Sequence, residues 1–286
     1  MERECYECHV KTKDRLLSRH HLSPDQAEKF NHQFDGYIQR NWQAGNLVIA
    51  THIHRMAREI IKNDDLYREE KNSATLFLLE RYDRLKSMVL QNENPLHTAA
   101  KLAAIGNIID YGAHAVPEDL EEFLDAKLKE PLAIDHRKNM IEALQKAQSV
   151  LYLADNAGEI VLDRLFLETL DHPHVIVAVR GLPVINDVTL DDAQLSGIDK
   201  VSTLISNGYD APSTLLGHCS DDFTQAYHEA DVVISKGQGN FEGLMNEKDK
   251  ILFFMLMAKC NPIARLLGVK KGSMVIRQNS ALWPLK

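Results

Sequence analysis

The sequence predicts an α/β protein in two parts: an all-helical N-terminal part over residues 1–148, then a Rossmann-like α/β/α sandwich with a mostly parallel sheet over residues 149–286. Three observations predict it. Up to residue 148, apolar residues recur three and four apart, the period of an amphipathic helix. From Val150 onward, short all-apolar runs alternate with helical segments. Those runs are apolar on both faces, as strands are when helices cover a parallel sheet on each side.

Composition narrows the function. The chain has 286 residues, 44% of them hydrophobic, enough for one large domain or two small ones. Its formal net charge of -8 argues against non-specific nucleic-acid binding and still allows a local basic pocket for a small anion. No apolar run approaches the ~20 residues of a membrane helix. Met1-Glu2-Arg3-Glu4 does not open a signal peptide. The expectation is a cytoplasmic protein with neither a membrane nor a nucleic-acid partner. Nothing in the sequence fixes an oligomeric state.

In the first half, Cys5-Tyr6-Glu7-Cys8-His9 matches a haem-attachment pattern, which the missing export signal rejects. The same Cys pair reads either as half of a zinc site or as two thiols one helical turn apart. Ser23-Pro24-Asp25-Gln26 starts a helix, with Ser23 as cap and Pro24 in the first turn. That helix runs to about Trp42, and another begins near Asn46. Residues 67–91 read as one long helix. Pro95 opens a further one, apolar through Ile105 and continuing into Gly106-Asn107-Ile108-Ile109-Asp110. A Gly and an Asn are costly inside a helix. Asn107 and Asp110, one turn apart, are either a satisfied buried pair or support for a site. Pro117 starts a short helix and residues 135–148 form another; no strand is expected before residue 149.

In the second half, the strand Val150–Ala154 stops at Asp155-Asn156-Ala157-Gly158, and a helix begins at Glu159. A carboxylate and an amide at a strand's C-terminal end lie where open α/β sheets bind ligands. Such oxygens suit a hard divalent cation. They also suit an Asx turn and helix cap, and the local sequence does not choose. The second strand, residues 174–179, is followed by Asn186-Asp187, a further carboxylate at a strand end. Strands are expected at 200–205, 231–235, 251–258 and 273–276. The fourth runs into Lys236-Gly237-Gln238-Gly239-Asn240, read as an anion-cradling loop with Lys236 as its cation. Lys259 is a second cation at a strand end. Cys260 has no evident base beside it and reads as packing.

Together, Asp155-Asn156-Ala157-Gly158-Glu159, Asn186-Asp187, Lys236 to Glu242 and Lys259 resemble the metal-dependent damage-control phosphatases, formerly the domain of unknown function 89. Gly106-Asn107, Asp110 and the Cys5/Cys8 pair resemble its short, stand-alone prokaryotic branch. The resemblance implies a helical part beside an α/β/α sheet and hydrolysis of small phosphorylated metabolites such as sugar phosphates and phosphopantetheine-like compounds. It implies a divalent metal (Mg, Mn, Co or Ni) on Asp155, Asn156 and Asp187. Asp155, Lys236 and Lys259 would act in catalysis. Glu159, Gly237, Gly239, Asn240 and Lys259 would hold substrate, and Asn107 and Asp110 would support the site. The family's eukaryotic Arg-Thr-x-Lys signature is replaced here by Met257-Ala258-Lys259-Cys260, so carry-over there is limited to Lys259. A non-catalytic phosphometabolite or nucleotide sensor, or a zinc-organised interaction protein, would use the same features differently.

Overall fold

The computed structural model describes residues 2–107 and 120–279. Asp110 and the helix start at Pro117 lie outside the described residues. The helices of the first half are α1 (Arg3–Arg19), α2 (Pro24–Asn41), α3 (Asn46–Ile61), α4 (Arg68–Leu79), α5 (Tyr82–Leu90), α6 (Pro95–Gly106), α7 (Leu120–Lys129) and α8 (Arg137–Lys146). The start of α2 is fixed by a reciprocal cap. Gln26 N–H donates to Ser23 Oγ at 3.3 Å, and Ser23 N–H donates to Gln26 Oε1 at 3.0 Å.

Residues 67–91, expected as one helix, are two. At the break Arg81 N–H bonds back to Leu78 O, three residues rather than four. Tyr82, Leu85 and Val89 thereby join the core that already holds Leu78. A β-strand, β1 (Ile134–Asp135), also precedes residue 149, against expectation. Two residues carry no readable period; pairing alone defines this strand.

The remaining elements are β2 (Val150–Leu153), α9 (Glu159–Leu170), β3 (Val175–Val179), α10 (Leu190–Ser196), β4 (Thr203–Ser206), α11 (Asp221–Glu229), β5 (Val232–Lys236), α12 (Gly237–Leu244), β6 (Ile251–Met257), α13 (Asn261–Leu267) and β7 (Met274–Gln278). The sheet order is β1-β7-β6-β5-β2-β3-β4. Every pairing is parallel except β6 with β7. Side chains alternate across it: Tyr152, Val177 and Ile234 enter one core, and Leu151, Ala178 and Val233 the other. Helices α5, α6 and α9 fill the first core, and α11, α12 and α13 the second. A third core lies among α1, α2 and α3. Among the described residues no helix is long and apolar enough to cross a membrane.

The long Lys71 side chain of α4 ends in the interior, between Asp65 and Asp192, at 2.7 Å from each. It joins the helical half to α10 beside the sheet. Breaking a buried ion pair by removing one partner costs about 3–5 kcal/mol. Lys71→Ala strands two carboxylates, so a loss of that size is expected in urea unfolding; a loss under ~1 kcal/mol contradicts it.

Candidate active site

The chain leaves β2 toward β3 on one side, while β5 and β6 lie on the other. The crevice of such a sheet opens at the C-terminal ends of the two strands where direction reverses, here β2 and β5. Asp155 and Asn156 follow β2, Arg180 follows β3, Lys236 ends β5, and Lys259 lies just beyond β6.

The segment after β3 folds back along the end of β2. Ala157 N–H donates to Asn186 O and Val188 N–H to Asp155 O, both at 2.9 Å. Asn156 and Asp187 form an isolated antiparallel bridge. Just before them Ile185 has φ 47°. That left-handed conformation is strained for a β-branched residue. Packing of its side chain on the helical core holds it. Two carboxylates, Asp155 and Asp187, are thereby buried side by side, 7% and 4% exposed.

Each has fixed partners. Asp155 Oδ2 accepts from Asn156 Nδ2 at 2.8 Å and from Asn107 Nδ2 at 2.9 Å. Arg180 Nε donates to Asp187 Oδ2 at 2.6 Å. On the β5 side Gly237 passes at φ 79°, and a Cβ there would lie 1.9 Å from Asp155 Oδ2. Only glycine lets the chain approach so closely. Burial, then the charges of Asp187 and Glu159, push the Asp155 carboxyl up to about 7, against the pull of Lys259 and Arg180.

Beneath this pair lies a charged foundation. Lys236, fully buried, donates to Ala103 O at 3.0 Å and to Asp163 Oδ1, and pairs with Glu159 Oε1 at 2.6 Å. The ammonium is thus surrounded by one carbonyl and two carboxylates. Burial alone would lower its pKa; Asp163 and Glu159 outweigh it and hold the value raised. Tyr152 Oη donates to Asp163 Oδ1 at 2.7 Å. Burial pushes the Asp163 carboxyl up to about 7; Lys236 opposes and Glu159 reinforces.

Several expected roles change with this geometry. Lys236 points beneath the crevice instead of clamping a phosphate, because Glu159 and Asp163 draw it there. Glu159 is fully buried, and its Oε2 accepts from Asn107 Nδ2 at 3.0 Å and Asn156 Nδ2 at 2.9 Å. It holds the amides in place and presents no face to substrate. Asn240, fully buried, donates to Ala154 O and Lys236 O and accepts from Thr214 Oγ1. It ties the ends of β2 and β5 together. Gly239 lets the backbone pass Pro212 O, which a Cβ would approach to 2.0 Å. The supposed cradle from Gly237 on is the first turn of α12, not a loop. Asn107 reaches the site as drawn above, and its Oδ1 accepts from Met257 N–H at 3.2 Å. Lys259 is half-buried near enough to act on Asp155; its N–H donates to Gln238 Oε1 at 2.9 Å.

Sequence reasoning assigned nothing to Arg180, Asp163 or Thr214. Arg180 carried a signal: like Asp155 and Lys259, it is a charged residue directly after an all-apolar strand. So did Asp163, a lone charge in Ile160-Val161-Leu162-Asp163. Among the described residues no three His, Cys, Asp or Glu side chains form a metal-binding group. The crevice instead offers two carboxylates and an amide. Oxygen donors with surplus negative charge fit a hard divalent cation, with water and substrate completing the shell.

The sequence profile of the damage-control phosphatase ARMT1-like domain matches residues 1–275. A damage-control phosphatase of Pyrococcus horikoshii is 37% identical over 224 residues, covering 77% of each chain. One from Archaeoglobus fulgidus is 35% identical over 238 residues, 81% of this chain and 82% of that one. The crystal structure of a DUF89 family protein from Pyrococcus horikoshii superposes with a TM-score of 0.88 at 31% identity, covering 98% of this chain and 99% of that one.

The raised carboxyls give a signed pH dependence. Unfolded Asp titrates near ~3.9, whereas Asp155 and Asp163 in the folded protein titrate at about 7. Folding therefore takes up protons across that window, and both groups lose stability as pH rises through it. In EDTA, Tm is expected to fall between about pH 4.5 and pH 7.5 more steeply for the native protein than for Asp155→Asn. Equal slopes in the two proteins would show that Asp155 is not the group responsible.

Proposed function

This chain belongs to the damage-control phosphatase ARMT1-like family, and from that premise we propose that it hydrolyses phosphomonoesters of small metabolites with the help of a divalent cation. Mg, Mn, Co and Ni are the candidate ions, and Asp155, Asn156 and Asp187 would hold the one used. Sugar phosphates, phosphopantetheine-like compounds and damaged phosphometabolites are the substrate classes. The observation that carries the reading is the buried pair Asp155 and Asp187 at the switch point, with the Asp155 carboxyl raised toward neutrality by burial and then by its anionic neighbours.

A bound divalent cation supplies Lewis acidity toward a phosphate oxygen and makes water a better nucleophile. The chain's own residues do the rest. Asn107 and Asn156 hold Asp155 Oδ2, so its carboxylate keeps one orientation. Arg180 does the same for Asp187. Lys259, near enough to act on Asp155, would offset the charge of a phosphoryl group's equatorial oxygens. Water forms the new P–O bond as the ester P–O bond breaks, and the alcohol leaves. Asp155 is followed by Asn156-Ala157, so the Asp-x-Asp pattern of phospho-aspartyl enzymes is absent. Direct attack by water accords with that.

The test is phosphate release from a panel of small phosphomonoesters, run on EDTA-treated protein with each metal restored separately. Turnover is expected only with metal, and Asp187→Ala should abolish the stimulation. Lys259→Ala should lower kcat by roughly ~10²-fold, the scale of one lost electrostatic contact in the transition state. Stoichiometric binding of a phosphometabolite with no phosphate release under any metal would instead identify a sensor.

A further inference from the structure

Arg180 carries more than a structural load. Its guanidinium is 2% exposed, so its donors need partners in the protein, in ordered water or in a ligand. Nε donates to Asp187 Oδ2 at 2.6 Å, and Nη1 to Thr214 Oγ1 at 3.4 Å. Nη2 is buried with no hydrogen-bond partner, 3.9 Å from Asp155 Oδ1. That distance is an ion pair's and too long for a hydrogen bond. A guanidinium cannot give up its proton to relieve the deficit. The buried neutral alternative open to Lys or His is closed to it.

The surroundings keep the group aimed. Thr214 Oγ1, which accepts from Nη1, donates its own proton to Asn240 Oδ1 at 2.9 Å. Arg180 N–H donates to Val188 O at 2.8 Å, which fixes the backbone at the root of the side chain. Nε and one Nη1 donor are therefore committed to Asp187 and Thr214, while Nη2, which shares an edge of the fork with Nε, lies beside Asp155 Oδ1 with its donors unused. Planar, fixed N–H donors of this kind match the oxygens of a phosphate.

We infer that Arg180 Nη2 is a phosphate-oxygen donor at the floor of the crevice, and that the same side chain fixes Asp187. This deepens the phosphatase reading and rests on it for the identity of the anion. It makes Arg180 a substrate contact in addition to Lys259, braced on α12 through Thr214 and Asn240. No bond is made or broken by Arg180, whose charge is constant.

Inorganic phosphate, the common product, is the probe. Its binding is measured by calorimetry on the Mg²⁺-loaded full chain, native and Arg180→Lys, alongside Mg²⁺ binding without phosphate. Arg180→Lys keeps a cation but loses the fork. Phosphate Kd is expected to rise ten-fold or more while Mg²⁺ Kd changes less than three-fold. A phosphate Kd within two-fold of native overturns the inference. So does a phosphate loss matched by an equal loss of Mg²⁺ affinity, because Arg180 would then act only through Asp187. If Arg180→Lys fails to fold by circular dichroism, Thr214→Val is measured the same way. It removes the oxygen that steers Nη1 together with the donor to Asn240 Oδ1, and with a native circular dichroism spectrum a three-fold or greater loss of phosphate affinity is expected; no change overturns the inference. The readout is binding, so native protein that bound phosphate through Arg180 yet hydrolysed no ester would refute the hydrolase reading and leave this one standing.

Discussion

The pairing of one buried ammonium with two buried carboxylates governs this structure. Lys236 ends β5, Glu159 and Asp163 belong to α9, and Ala103, whose carbonyl also receives Lys236, belongs to α6. Taking such charges out of water is expensive, and the expense is offset only when the partners are close and every donor is used. The arrangement therefore fixes α6 against α9 and both against β5. That in turn sets the position of Asn107 at the end of α6 and of Asn156 at the end of β2. These two amides bridge Glu159 below to Asp155 above. The crevice is shaped from beneath, by groups that no ligand can reach.

Above this foundation two strand ends are brought together by close backbone approach. Gly237 allows β5 to turn into α12 beside Asp155. On the other side the strained Ile185 delivers Asp187 to Asn156. The result is a concentration of carboxylates that Lys236, Arg180 and Lys259 together do not fully neutralise. Burial, and then the charges of Asp187 and Glu159, raise the Asp155 carboxyl. A divalent cation would relieve the surplus of negative charge, and the same relief would make the folded state more stable in the presence of metal.

Much of this was legible in the sequence, for identifiable reasons. Strands buried on both faces are unbroken apolar runs, and each ends where a charged residue appears, so β2, β3, β5 and β6 and the residues at their ends could be located directly. The direction of the side chains was legible only by alternation. Val232, Ile234 and Lys236 share a face, the one covered by α6 and α9, so Lys236 had to enter that core. Position at the strand's mouth suggested the reverse. Glycine spacing hid the helix after β5, because Gly237 and Gly239 are there for close approach to Asp155 and Pro212 O, whereas glycine in a helix usually signals its end. The two-residue β1 and the break between α4 and α5 depend on pairing and on tertiary core packing, which no local period records.

On the proposed reading, Asp155 and Asp187 hold one hard divalent cation between them. Mn²⁺ binding to EDTA-treated protein, followed by electron paramagnetic resonance of the free ion, tests it most directly. One equivalent should bind to native protein, and Asp155→Asn and Asp187→Asn should each weaken that binding by ten-fold or more while the circular dichroism spectrum stays native. Native protein that binds no stoichiometric Mn²⁺, or variants that bind it as tightly as native, would contradict the account.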